Sequence, residues 1–226
     1  MDDIAIIMCT TVHGHMAAIH DVLALTAEHD LYFKLEKCIF HALCINYLGV
    51  ILAKGVTHMD PVKIAGIKDW PMPTKVKDIC SFLGFCNFYH TFIRGFVSIA
   101  KPLNTVTKKD KEWVGAAEHQ RAFNTLKQHV TSEPILAHLE LNKQFKLKVD
   151  VSGFTLGAVL LQKKDNDKRH PVGYYSATLN EVECNYDIYD LELLAIVKAL
   201  KHWRPLLVGS PHKIKVFLEH MNLKYW

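Results

Sequence analysis

Three carboxylates in the last third of the chain stand where they could bind divalent metal: Asp150, Glu192 and Glu219. Asp150 sits in an alternating segment (residues 145–151, FKLKVDV), and Glu192 lies in the first turns of an apolar-periodic segment (187–203). Glu219 directly follows a short apolar-basic run (213–218). Hydrolysis of a phosphodiester by two divalent ions needs carboxylates from separate elements to meet, because hard cations take several oxygen ligands around sites about 4 Å apart. Acids at strand ends and helix starts are also ordinary solvated residues, so spacing alone leaves both readings open. Asp2 and Asp3 precede a hydrophobic run, and adjacent acids in a tight turn can hold the metals of a nucleotidyl transferase. A lone Asp-Asp is common and carries little weight by itself.

The elements that must position these acids follow from periodicity. Residues 2–8 read as a turn entering a buried strand, 15–28 as a helix, and 31–35 and 45–53 as strands, with Lys54-Gly55 turning the chain. Asp60-Pro61 is a helix start, Asp as N-cap and Pro at the first helical position, for a helix running to about Trp70 and stopping before Pro71 and Pro73. Thr74 is placed to cap a second helix with Ile79, Phe82, Leu83, Cys86, Phe88 and Tyr89 on its apolar face. Residues 101–111 (KPLNTVTKKDK) read as a basic, polar connector, and 118–131 as a further helix. From residue 145 the period changes. Segments 145–151, 155–162 and 171–176 read as consecutive strands, 187–203 as a helix and 213–218 as a fourth strand, which describes a mixed sheet with a helix packed on it. On that helix Glu192, Ala195 and Ala199 share one face, and the two small residues let it approach the sheet and bring Glu192 beside Asp150.

Bulk properties bound the rest. The 226 residues, 50% of them hydrophobic, allow one large domain or two small ones, and a net charge of +4 permits a polyanionic partner without requiring one. The six cysteines form no CxxC pair and sit largely among apolar neighbours, which reads as reduced, buried thiols of an intracellular protein, cytoplasmic or nuclear. Acids directly after Met1 argue against a signal peptide, and the apolar runs are too short to cross a bilayer. None of the fourteen histidines, His13-Gly14-His15 included, joins a Cys or carboxylate at zinc-ligand spacing, so most read as surface residues.

Taken in order, six blocks of the chain resemble the pol region of Ty3/gypsy-type LTR retrotransposons. MDDI (1–4) is similar to the end of the reverse transcriptase Tyr-x-Asp-Asp box. LEKCIF (35–40) with INYLGVIL (45–52) resembles the stretch that closes the palm, and residues 60–93 (DPVKIAGIKDWPMPTKVKDICSFLGFCNFYHTFI) the thumb-side segment. DVSGFTLGAVLLQ (150–162) looks like the opening of the retroelement RNase H domain, NYDIYDLELLAIVKALKHWR (185–204) its catalytic helix, and FLEHMNLKYW (217–226) the next strand and its exit.

The resemblance implies an α+β chain in three parts: a palm remnant (1–59), a thumb/connection helical segment (60–144) and an incomplete RNase H-like mixed sheet with a packed helix (145–226). It implies descent from an RNA-directed DNA polymerase with ribonuclease H, both using Mg²⁺, with Mn²⁺ as the alternative ion. Asp2 and Asp3 would be polymerase metal ligands, and Asp150, Glu192 and Glu219 the catalytic metal ligands of the nuclease. Lys101, Lys108, Lys109 and Lys111 would track a template backbone, unless they are simply a solvated linker. The partners implied are template-primer or an RNA–DNA hybrid, read through its wide minor groove and 2′-hydroxyls, and the rest of the pol polyprotein if expressed.

The sequence also departs from the family. The Tyr of the polymerase box, the fingers and the earlier catalytic Asp are not in these 226 residues, nor are the last RNase H strand and helices and the fourth metal-binding acid. Position 219 is Glu where the family has Asp, and a displacement near 1 Å costs on the order of 100-fold in rate. The expectation is a fragment truncated at both ends, inactive as a polymerase and weak or inactive as a nuclease; the alternative is a non-catalytic nucleic-acid-binding or domesticated interaction protein.

Overall fold

The computed structural model describes residues 4–7, 11–108, 115–132, 134–164 and 167–218. Residues 4–7 have no regular structure where a strand was expected. Helix α1 spans Val12–Glu28, three residues earlier than its apolar period suggests, because the Thr11 side chain accepts the Gly14 N–H at 3.3 Å and fixes the start. It buries no residue, so its helicity rests on local propensity rather than packing. The strand expected over 31–35 is absent. That segment is irregular and ends in a single 3₁₀ turn, Leu35–Lys37, with Leu31, Tyr32 and Leu35 exposed.

The segment 45–53, expected as one strand, is a hairpin. Strands β1 (Cys44–Tyr47) and β2 (Val50–Ala53) pair antiparallel, Tyr47 opposite Val50. The two turn residues Leu48 and Gly49 both have positive φ, 47° and 81°, the geometry of a two-residue hairpin turn whose twist matches the strands. A Cβ at Gly49 would come 3.0 Å from the Phe88 ring, so Gly is needed there twice over, for conformation and for space. Strand β3 (Val56–Met59) continues the meander. After it α2 (Pro61–Lys68) begins as expected, the Asp60 carboxylate accepting from the Val62 N–H at 2.9 Å.

Helix α3 (Val76–Phe88) starts one residue later than a Thr74 cap would place it. Thr74 instead donates its N–H and its hydroxyl to the Asp78 carboxylate, both at 3.2 Å, while Lys75 holds the cap position. The Tyr89 hydroxyl reaches back to donate to the Gly49 carbonyl at 2.7 Å. The expected connector is helical over most of its described length. Helix α4 runs Phe96–Val106, with Phe96, Ala100, Leu103 and Val106 buried on one stripe, and Pro102 is tolerated inside it at the cost of one i→i−4 bond. Helix α5 (Ala117–Thr131) buries Ala122, Phe123, Leu126 and Val130. These faces enclose one core in which Phe82, Cys86, Tyr89, Leu103, Phe123 and Leu126 are each at most 2% exposed. Each such large side chain contributes about 1.5–3 kcal/mol of transfer free energy. Strand β4 (Ile135–Ala137) then pairs antiparallel with β3, giving a sheet ordered β1-β2-β3-β4 that joins residues on both sides of position 60.

The second sheet is the mixed one anticipated. Strands β5 (Phe145–Ser152), β6 (Thr155–Lys163) and β7 (Arg169–Thr178) are antiparallel, and β8 (Lys215–Phe217) adds parallel to β5, in the order β7-β6-β5-β8. Helix α6 (Ile188–His202) and the short α7 (Arg204–Leu207) connect β7 to β8. Phe145, Leu147, Val149, Leu156, Ala195 and Ala199 form the heart of the second core. Between the sheets, the fully buried Gln162 clamps the connecting segment. Its Oε1 accepts the Glu140 N–H at 2.9 Å, and its Nε2 donates to the carbonyls of Glu140 and Lys143 at 2.7 and 3.0 Å.

One compositional expectation needs correcting. Cys86 is buried, and burial pushes its thiol up to about 12, but Cys44, Cys80 and Cys184 are exposed. Of the described histidines, His119 and His138 are the buried ones, in line with the expectation that most lie at the surface. Among the described residues no helix is long and apolar enough to cross a membrane.

Candidate active site

Glu192 is placed by the periodicity of α6. Leu191, Glu192, Ala195 and Ala199 are its buried residues, and the two alanines are fully covered in the second core with Leu147 and Val149. A carboxylate at this position costs folding free energy, because burial strips its hydration. Glu192 is 6% exposed, and its Oε2 is buried with no hydrogen-bond partner. A helix face otherwise built from small and apolar residues thus carries one uncompensated acceptor against the sheet.

Asp150 is placed by the alternation of β5. Phe145, Leu147 and Val149 are buried, while Lys146, Lys148 and Asp150 form the other set, of which Asp150 is exposed. The pairing puts Asp150 opposite Gly157 on β6, and Gly157 opposite Ser176 on β7, so the acid heads a row of small residues. An open cavity of about 140 Å³ lies over this row, lined by Asp150, Ser152, Thr155, Ser176 and, from the start of α4, Gly95 and Ser98. Ser176 Oγ accepts the Val97 N–H at 3.1 Å, and Gly95 adopts φ 67° to turn the chain into α4. The tight β5–β6 turn passes through Gly153, with φ 54°.

Helix α6 packs on the sheet as expected, but Glu192 lies on the core side and Asp150 in the alternate, outward set of its strand, so the two acids are not brought to one face as the helix periodicity suggested. Among the described residues no three His, Cys, Asp or Glu side chains gather as a metal site. Glu219, Asp2 and Asp3 lie outside the described residues. The last β5–β8 pair is Lys148 with Phe217, and Asp150 and Glu219 each follow that pair by two residues in sequence. Of the lysines expected to follow a template, Lys101 sits on α4 with its ammonium 2.9 Å from the centroid of the Phe154 ring, beside the Asp150 turn. Lys108 is exposed beyond α4, and Lys109 and Lys111 lie outside the described residues.

Residue-by-residue reading missed Ser98, Gly157 and Ser176. Their relation to Asp150 exists only through strand register and the packing of α4 on β7, which no local pattern announces.

Residues 116–216 match the family model of the RNase H-like domain found in reverse transcriptase. Over 224 residues, 99% of its length, the chain is 36% identical to the Tf2-3 transposon polyprotein of Schizosaccharomyces pombe. The Tf2-7 polyprotein is also 36% identical, over 92% of the chain. Residues 116–216 thus carry an RNase H-like domain of the kind found in reverse transcriptase, and nearly the whole chain is similar to Tf2 transposon polyproteins. It spans 17% of the length of the Tf2-3 polyprotein.

Solved structures agree on the fold of this segment. A foamy viral protease–reverse transcriptase (dRH) in complex with double-stranded DNA superposes with a TM-score of 0.72 at 20% identity, covering 96% of this chain and 38% of that one. The foamy viral protease–reverse transcriptase in complex with an RNA/DNA hybrid gives 0.71 at 20% identity, over 93% of this chain and 28% of that one.

Proposed function

We propose that the chain is a reverse transcriptase/RNase H segment whose second sheet carries a divalent-metal-dependent nuclease site for the RNA strand of an RNA–DNA hybrid. The observation that carries this reading is Glu192, an acid held against the sheet with one buried carboxylate oxygen left without a partner. Buried polar atoms are usually paired, and an oxygen left open in this way is free to ligate a cation. The donor set also suits Mg²⁺ or Mn²⁺, which prefer carboxylate oxygens.

Asp150, Glu192 and Glu219 are the residues that would hold the ions. Divalent ions, when bound, supply activation of a water and charge stabilisation at the leaving 3′-oxygen. The chain's own contribution is positional. The α6–sheet packing fixes Glu192, the β5–β6 turn fixes Asp150, and the Ser176–Val97 bond holds α4 over the cavity. Glu219, one methylene longer than the family's Asp, would place its carboxylate about a bond length away, which lowers the rate of the site. Asp2 and Asp3 are proposed as polymerase ligands of the longer polyprotein, and polymerisation is a property proposed for that whole. The division into palm (1–59), thumb/connection (60–144) and nuclease (145–226) parts belongs to the same proposal.

The test is incubation of the purified chain with a labelled RNA–DNA hybrid in Mg²⁺ and in Mn²⁺. Weak cleavage is expected, lost in Asp150→Asn and in Glu192→Gln and raised by Glu219→Asp. Hybrid binding without cleavage, even in Glu219→Asp, would instead assign the chain to non-catalytic nucleic-acid binding.

A further inference from the structure

The two faces of the second sheet are treated very differently. One is filled by α6 and the apolar set of β5 and β6. On the other, the β7 side is covered by the helical half, since Tyr174 packs on the first core and Ser176 bonds the start of α4. The β5–β8 side of that same face has no such cover of apolar contacts among the described residues. Lys146 and Lys148 alternate with the buried Leu147 and Val149 on β5, and Lys215 is the register partner of Lys146 on the adjacent parallel strand. Phe217, partner of Lys148 and 39% exposed, lies under the Lys146 ammonium, 3.1 Å from ring centroid to Nζ.

Side-by-side lysines on neighbouring strands repel one another and destabilise the pairing. Burial, and then Arg169, Lys148 and Lys215, hold the Lys146 ammonium below the usual lysine range, so the charges acting on it are cationic. An anion laid along the strands would remove the repulsion and release counterions. The row has a direction too. Lys146, Lys148 and Asp150 follow one another on one side of β5 at intervals of roughly 7 Å, two residues of strand rise, so the cations lead to the candidate acid.

We propose that the open β5–β8 face, with Lys146 and Lys215 as its contacts and Arg169 at its margin, is a phosphate track for the backbone of a nucleic-acid duplex bound at the Asp150 site. This deepens the nuclease reading and rests on it for the identity of the duplex. The contacts are sequence-independent, from point-charge ammonium groups to phosphates. Phe217 keeps the Lys146 chain extended along the sheet, which lowers the entropy lost on binding.

The test is fluorescence anisotropy of a labelled RNA–DNA hybrid with the full chain, titrated at several salt concentrations in EDTA so that cleavage does not intervene. The double variant Lys146→Gln/Lys215→Gln should bind at least about tenfold more weakly at low salt. Loss of two phosphate contacts should make its log K against log salt slope shallower by about 1.8. Lys201→Gln/Arg204→Gln, on the opposite side of the sheet, should match the wild type. Should the sheet variant fold poorly, acetylation of the wild-type chain decides, with hybrid protecting Lys146 and Lys215 but not Lys201. A wild-type slope in a folded double variant, or unprotected Lys146 and Lys215, overturns the track. Cleavage that depends on Asp150 alongside such a result would leave the nuclease reading standing. A lysine-dependent slope with no cleavage would do the reverse.

Discussion

Ser176 on β7 accepts the main-chain N–H of Val97, in the first turn of α4, at 3.1 Å across 79 residues of sequence. A side chain of the second sheet thereby caps a helix of the preceding half, where Gly95 offers no side chain of its own. The bond also borders the cavity that Asp150 lines.

Replacing Ser176 by Ala leaves that N–H without its cap. A loss of about 1 kcal/mol is expected, the usual worth of an N-cap hydroxyl. It should be read as a lower denaturant midpoint at unchanged m-value. A midpoint equal to that of the wild type would show that the bond contributes nothing to the junction.

Glu192→Gln separates folding from metal binding. Without divalent ions the neutral amide is less costly to bury than a carboxylate with an unpartnered oxygen, so the variant should melt at or above the wild-type temperature in EDTA. Mg²⁺ or Mn²⁺ should then raise the wild-type melting temperature and leave the variant nearly unmoved, since an ion bound only to the folded state stabilises it by mass action. Equal shifts in both proteins would remove Glu192 from the ligand set.

His138, at the end of β4, gives a pH dependence of known sign. Burial, and then the nearby Lys164 ammonium, hold its pKa below the ordinary value of 6.5. The unfolded chain therefore binds the proton more readily. The stability that the neutral ring contributes is complete above about pH 6.5 and declines as pH falls from there toward the lowered folded value. His138→Phe should flatten the stability profile in that window, measured by urea unfolding at pH 7.5, 6.5 and 5.5. A profile of wild-type steepness would count against it.

What the sequence made legible was local. The helix that carries Glu192 could be read because Ala195 and Ala199 mark its contact face, and α2 because Asp60-Pro61 is a chemical start signal. Strand β4 could not be read, since three residues, Ile135–Ala137, become a strand only by pairing with Val56–His58, far back in the chain. Residues 31–35 have strand-forming composition and no strand partner among the described residues, which is why propensity failed there. Helix α4 was hidden by Lys101, Pro102 and Asn104, polar or helix-breaking types on its outer side that masked the buried stripe of Phe96, Ala100 and Leu103. For the site the same division holds. The acids could be named from type and order, but the row Asp150–Gly157–Ser176 required register.

The Gln162 clamp has a mechanical consequence. Its carboxamide stands in for a peptide unit, offering one acceptor and two donated bonds to a segment that would otherwise swing. Lys164 adds a second fastening, donating to the His138 carbonyl at 2.7 Å and to the Glu140 carboxylate at 2.6 Å. The stretch between the sheets is thus a splint rather than a hinge. Torque applied to the helical half would reach the second sheet with little loss, and the two halves would turn together as a single lever.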